Sequence, residues 1–332
     1  MILIFDIKKD SIVYVLCPAH IVTGGPEAIH QLCDALDYFG IDCRIAYIYF
    51  EDPQNKSCRL NPKGKPQEFN IYNTKEAEEI IDDVKNVLIM PEHYLTSNVY
   101  EVARRVVRNF KYIQKGLWWL ASYNEKYHKI DEVKGFIHLV QSFFAKKKLE
   151  EIGLESYYLS DYTSEIFIES AKKGINLYRE NLVLFNPSKG FERSVKIIDL
   201  LKKKRSDIKI GAIQGLSKSD MVKLFSVAKV YFDFGEHPGK DRIPRETAVM
   251  GMTVLVGLDG SAKYFRDIPI SNKYKMEYSD ENLEKIVDKI IEMHDNYLNI
   301  IDDFKDYREA IFKEKENFYK EVEEIFVKKS IV

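Results

Sequence analysis

"YFDFGEHPGKDRIPRETAVMGMTVLVG", Tyr231 to Gly257, decides the fold of this chain. It opens on an apolar run of strand length and closes on another, "MTVLVG". Between them a Gly-rich turn leads into "IPRETAVMG", a short helical pattern with Pro244 near its first turn, where a missing N–H is tolerated. Strand, helix and strand in succession make the unit of a parallel sheet. The turn also gathers Lys240, Arg242 and Arg245 and is closed by Glu246. Structural turns rarely carry so many charges, so this one reads as built for an anionic ligand.

The same alternation extends outward from this stretch. "NLVLFNP" reads as a strand, "FERSVKIIDLLKKKR" as an amphipathic helix, "IKIGAIQG" as a strand, and "SKSDMVKLFSVA" as a helix opening on a Ser cap. In the first half, "SIVYVLCPA" precedes the helical pattern of Ile29, Leu32, Cys33, Leu36 and Phe39, which Gly40 ends. "DCRIAYIYF", "NVLIMP", "LWWLA" and "GFIHLVQS" are further strands. The stretch 51–70, rich in Pro, Asn and Lys, reads as a loop. The expected architecture is α/β, with two Rossmann-like doubly wound domains facing across a cleft, 1–175 and 176–304. A helical tail, 305–332, is expected to pack back on the first, because Phe304, Ile311, Phe318 and Val322 form an apolar stripe.

A chain of 332 residues suits two such domains, and 45% hydrophobic with 31% charged residues describes an ordinary globular protein. The net charge of -2 speaks against a general nucleic-acid binder. Cys17, Cys33, Cys43 and Cys58 show no CxxC spacing and no His cluster, so no zinc site is expected. Cys17 and Cys33 lie in apolar runs and read as buried free thiols, which fits a reducing compartment. The start lacks the pattern of a signal peptide, and no apolar run reaches membrane-spanning length. A cytoplasmic protein is the expectation.

Three turns carry candidate ligand-binding residues. "VTGGPEAIHQL" places Gly24 and Gly25 between a strand and a helix, where backbone N–H groups attract anions. It is not GxGxxG, so the dinucleotide fingerprint is absent, and a plain tight turn is the competing reading. "FNPSKGFERS" sets Lys189 and Gly190 after a strand, with Arg193 one turn into the next helix; Gln214 ends the following strand. "GEHPGKDRIPRE" adds Gly235, Glu236, His237 and Gly239. Here the N–H groups of Arg245, Glu246 and Thr247 are expected to cradle a phosphate, with Lys240 and Arg242 adding charge. Glu246, an acceptor only, suits a ribose diol. On the opposite wall, Glu92, His93 and Asn124 end first-half strands. Trp118 and Trp119 read as core, and Arg104, Arg105, Arg108, Lys111 and Lys115 as the solvated face of a helix, with an anionic membrane surface as the alternative. Neither a Ser-His-Asp arrangement nor an Asp-x-Asp metal motif stands out.

Together these residues resemble a GT-B glycosyltransferase. "IPRETAVMGMTVLV" resembles the "PxxEAxAxGxPVV" signature of the retaining, sucrose-synthase-like family, and "VTGGPEAIHQLCDALDYFGIDCRI" resembles that family's N-terminal region. "WWL" and "HPGKDRIPRE" are similar to features of bacterial surface-polysaccharide transferases. The resemblance implies that Glu246 holds the donor ribose and that Lys189 stabilises the departing phosphate, with Lys240 or Arg242 replacing an arginine the family has near Asn186. The loop's charge assigns Lys189, Lys240 and Arg242 to that phosphate, and His93, by its strand end, is expected on the acceptor side. It implies transfer of a sugar from a UDP- or GDP-sugar, or alternatively a CMP-sugar, to a glycan or lipid-linked acceptor in cell-surface polysaccharide synthesis. The expected chemistry is retaining and metal-independent, with no cofactor, no nucleic-acid partner and peripheral membrane association open. A nucleotide-sugar epimerase and a non-catalytic nucleotide-sugar-binding subunit are the alternatives.

Overall fold

The computed structural model describes residues 4–50, 58–60, 63–92, 109–122, 130–131 and 133–327. The chain divides into two compact units, Met1–Tyr162 with Glu316–Val332, and Thr163–Lys315.

In the first unit the strands β1 (Ile12–Pro18), β2 (Asp42–Phe50), β3 (Cys58–Leu60), β4 (Lys75–Glu76), β5 (Val87–Pro91), β6 (Gln114–Trp119), β7 (Ile137–Val140) and β8 (Tyr157–Tyr158) form one sheet. Its order is β3-β2-β1-β5-β6-β7-β8, with β4 also on β2; every pairing is parallel except β2 with β3. Both faces are covered. Along β1, Val13, Val15 and Cys17 enter one core cluster, while Tyr14 and Leu16 enter the other. That is why β1 reads as a continuous apolar run rather than an alternation. Trp118 and Trp119 are fully buried, and their indole N–H groups donate to the Leu159 carbonyl and to His138 Nδ1.

The helix Gly24–Tyr38 packs on β2, and here one expectation is corrected. Cys33 is not a free thiol but forms a disulfide with Cys43 of β2, while Cys17 is free and buried as expected. The helix sets the two Cα atoms 5.3 Å apart, inside the bonding range.

The second unit holds β9 (Leu182–Phe185), β10 (Lys209–Ala212), β11 (Val230–Asp233), β12 (Thr253–Gly257) and β13 (Lys275–Met276), all parallel, in the order β10-β9-β11-β12-β13. The unit starts earlier than the expected 175/176 boundary, because Phe167 of the helix Glu165–Lys172 is buried in its core. It also ends later than 304. Phe304 and Ile311 belong to the second unit's core, whereas Phe318, Val322, Ile325 and Phe326 belong to the first's. The apolar stripe is thus shared between two cores. Among the described residues no helix is long and apolar enough to cross a membrane.

Candidate functional site

In an open parallel sheet the chain leaves the carboxyl ends of two neighbouring strands in opposite directions where the strand order reverses, and a crevice opens there. In the second unit that point lies between β9 and β11. The turns after these two strands are the ones singled out in the sequence. After β9, Asn186 Oδ1 accepts from the Ser188 N–H at 3.0 Å, and the chain turns through Lys189 into Gly190. Gly190 has φ +57° and caps the helix Phe191–Lys204. A Cβ there would lie 2.8 Å from Gly235 Cα, and a Cβ on Gly235 would lie 2.5 Å from Lys189 Cβ. The two turns touch backbone to backbone, which only this pair of glycines permits.

The β11 turn is built on Asp233, buried at the strand's last position. One carboxylate oxygen accepts from Tyr231 Oη at 2.7 Å, the other from the Gly235 N–H at 2.9 Å. His237 is fully buried, with Nδ1 2.7 Å from Asp241 Oδ2. The other oxygen of Asp241 is 2.6 Å from Lys189 Nζ. Burial alone would push Asp241 up, but the Lys189 charge and the His237 hydrogen bond hold it down at about 2. His237 is treated conversely: burial would lower it, and the Asp241 hydrogen bond with the Asp233 and Asp241 charges raises it. The loop is further fastened where Ser261 donates its N–H to the His237 carbonyl and its hydroxyl to the Gly239 carbonyl.

Asp241 caps a helix, Arg242–Val249. Pro244 therefore sits at its third position, so the first-turn N–H groups that precede the intrahelical ladder are those of Arg242 and Ile243. This corrects the expected cradle of Arg245, Glu246 and Thr247 N–H groups, which lie too deep in the helix; Pro244 has no N–H to give. At the far end, Arg179 Nη2 donates to the Met250 carbonyl at 2.7 Å, and its Nη1 donates to the Phe225 and Ala228 carbonyls. The short helix is held at both ends.

The gathered cations have internal counter-ions that no reading of the loop alone reveals. Arg245 is 1% exposed. Its guanidinium donates to the Asp241 carbonyl, the Lys240 carbonyl and Glu314 Oε2, at 3.1, 2.8 and 3.0 Å. Lys240 Nζ lies 3.0 Å from Glu314 Oε1. Glu314, missed in the sequence, is buried and also accepts from the Thr163 N–H and hydroxyl at 2.9 and 2.8 Å. Burial would raise its carboxyl, yet the Arg245 and Lys240 charges hold it at about 2. Glu246 is buried, Arg242 half-buried, and Glu236 exposed. Arg193 pairs with Asp259 at 2.5 Å, donates to the Phe234 carbonyl and lies over the Tyr278 ring. Gln214 is exposed on the loop after β10.

Asp233, His237 and Asp241 present atoms within 4.8 Å of one another and could hold a metal ion. Their oxygens already accept from Tyr231, Gly235, Lys189 and His237, so a metal would have to displace the Lys189 ammonium from Asp241.

The first unit has its own reversal point, between β1 and β5. Gly24 and Gly25 open the helix behind Thr23, and Glu92, 1% exposed, accepts from the Leu120 N–H at 3.0 Å. His93, Asn124 and the Arg104–Arg108 segment lie outside the described residues.

No protein-family model and no curated protein sequence matches this chain. Solved structures do. A glycosyltransferase from Rickettsia africae is 14% identical, with 96% of this chain and 99% of that one covered, at a TM-score of 0.59. Sucrose-phosphate synthase from Thermosynechococcus elongatus is 11% identical, covering 95% and 98%, at 0.62. The pneumococcal O-GlcNAc transferase GtfA, solved with UDP and GlcNAc, is 10% identical, covering 96% and 99%, at 0.59. With two parallel-sheet α/β units in one chain and neighbours matched along nearly their whole length, the chain has the fold of the GT-B glycosyltransferases.

Proposed function

We propose that this chain is a metal-independent glycosyltransferase whose second unit binds a nucleotide-activated sugar at the β9–β11 reversal point. The observation that carries this reading is local. Two glycine turns meet there, a helix begins beside them, and Lys189, His237, Lys240 and Arg242 collect around its first turn with Glu246 buried one turn behind.

Breaking a glycosyl–phosphate bond separates charge: the anomeric carbon becomes cationic and the phosphate leaves as an anion. Fixed cations and helix N–H groups lower that barrier when they face the phosphate, a role a divalent metal fills elsewhere. Lys189, Lys240 and Arg242 are assigned to it. Glu246 is assigned to the ribose, as the only buried carboxylate within the short helix. Arg245, committed to Glu314 and the loop backbone, is assigned to support rather than contact. The acceptor, a glycan or lipid-linked sugar, is assigned to the first unit's own reversal point at Gly24, Gly25 and Glu92. Retention of configuration and a UDP- or GDP-sugar donor follow from the resemblance of "IPRETAVMGMTVLV" alone.

The test is calorimetry of the full chain with UDP-, GDP- and CMP-sugars, repeated with Glu246→Ala. Binding of one donor, weakened about 10–100-fold in the variant, supports the assignment; this matches the about 1.5–3 kcal/mol of a hydrogen bond to a charged group. Binding by none refutes the function, and unchanged affinity in the variant removes Glu246 from the site. Scrambling of donor sugar without nucleotide release would indicate an epimerase instead.

A further inference from the structure

The chain enters the second unit at Thr163 and leaves it after Lys315. Glu314, one residue before it leaves, bonds through one oxygen to both donors of Thr163, the first residue of the unit. A single carboxylate therefore ties the two places where the chain passes between units. The same carboxylate receives Lys240 and Arg245 from the β11 loop. A second tie, Lys315 Nζ to Glu165 Oε1 at 2.6 Å, repeats the link one residue after Glu314 and two after Thr163.

The two cations differ in freedom. Arg245 is fully buried and also donates to the backbone of Lys240 and Asp241, so it cannot leave without disturbing the loop. Lys240 reaches Glu314 through a long, flexible side chain that keeps some solvent exposure. An ammonium can exchange one anion for another without moving its backbone. An arriving phosphate and Glu314 are thus rivals for Lys240, while Arg245 and Thr163 keep Glu314 in place.

We propose that Glu314 is a positioning residue, an internal counter-anion that holds Lys240 until a phosphate group displaces it. Binding of the donor is thereby coupled to the tie at Thr163. This rests on the proposed function insofar as the phosphate belongs to a nucleotide-sugar donor; the Lys240–Glu314 lock itself does not.

The experiment has two arms, both on the full chain. In the first, acylation of Lys240 by an amine-reactive ester is followed by peptide mass spectrometry in the wild type and in Glu314→Gln, whose amide oxygen can still accept from Thr163. Lys240 is expected to label at least about fivefold faster in the variant. In the second, affinities for UDP, GDP and CMP are measured in wild type, Glu314→Gln, Lys240→Ala and the double variant. Removing the rival anion is expected to tighten the preferred nucleotide about tenfold, and to have no effect once Lys240 is absent, because the coupling runs through that side chain. If Glu314→Gln does not fold, Glu314→Asp is used; it keeps the charge but shortens the reach, and its Lys240 should label faster as well.

Unchanged Lys240 labelling overturns the proposal. So does weaker nucleotide binding in Glu314→Gln that persists in the Lys240→Ala background, which is what a purely structural role would give. Faster labelling with no nucleotide bound by any version would uphold the lock and refute the proposed function.

Discussion

Replacing Asp241 by Asn tests the electrostatics of the candidate site most directly. The side chain keeps its shape but no longer offsets Lys189 at 2.6 Å or His237 at 2.7 Å. Removing one partner of a buried ion pair costs about 3–5 kcal/mol, and Lys189 keeps enough solvent to place this case near the lower end. For a unit of this size about 1 kcal/mol shifts Tm by roughly 2–4 °C, so the transition of the second unit should fall by about 6–12 °C at pH 6. The pH dependence is the sharper signature. Asp241 is depressed from its ordinary 3.8 to about 2, so its contribution is complete above pH 3.8 and is lost as pH falls toward 2. His237 is raised above its ordinary 6.5, so its contribution is complete below pH 6.5 and is lost as pH rises through the folded value. The gap between wild type and Asp241→Asn should therefore peak at about pH 4.5–6.5 and narrow on both sides. It should not close on the alkaline side, since Asp241 also pairs with Lys189. Scanning calorimetry of both proteins from pH 3 to 9 measures it. A gap below about 2 °C, or one flat across that range, would refute the pairing of Asp241 with two cations.

Three further outcomes are expected. Reducing the Cys33–Cys43 disulfide, which spans 10 residues, should cost the first unit about 2–3 kcal/mol; an unchanged denaturant midpoint under dithiothreitol would show that it contributes nothing. Gly190→Ala combines a left-handed backbone, about 1–2 kcal/mol for a residue with a Cβ, with a contact at 2.8 Å, so chemical denaturation should show a loss of about 2 kcal/mol or more. Ending the chain after Lys315 removes Phe318, Val322, Ile325 and Phe326 from the first unit's core, each worth about 1.5–3 kcal/mol. Circular dichroism should then show one cooperative transition lost and one kept; two intact transitions would contradict the core assignment.

The strands and the short helix around Tyr231–Gly257 were legible in the sequence because both strands are buried on both faces and glycines bound the turns. The turn residues Lys189, Gly190, Gly235 and His237 could be named for the same reason: they follow strands that the pattern identifies. What could not be read is pairing over distance. Glu314 is 69 residues from Arg245 and 151 from Thr163, and it stands in a stretch of alternating Glu and Lys where nothing marks one carboxylate as buried. The charges in the loop were visible, and their counter-ions were not. A proline suits a helix's third position as well as its first, so Pro244 does not by itself mark where this helix starts. Cys33 was read from its apolar neighbours alone, and only the packing of helix on strand brings Cys43 beside it.

The division of the chain has a consequence for its synthesis. The second unit is one continuous segment, whereas the first is assembled from residues 1–162 and 316–332. A ribosome releases the long N-terminal segment first, yet Phe5, Tyr162 and the rest of that cluster wait for Phe318, Val322, Ile325 and Phe326 to close it. Until those residues emerge, the first unit is an incomplete sheet with an uncovered apolar face. Nascent chains of this protein should therefore pass through a stage at which the earlier-made half is a chaperone client.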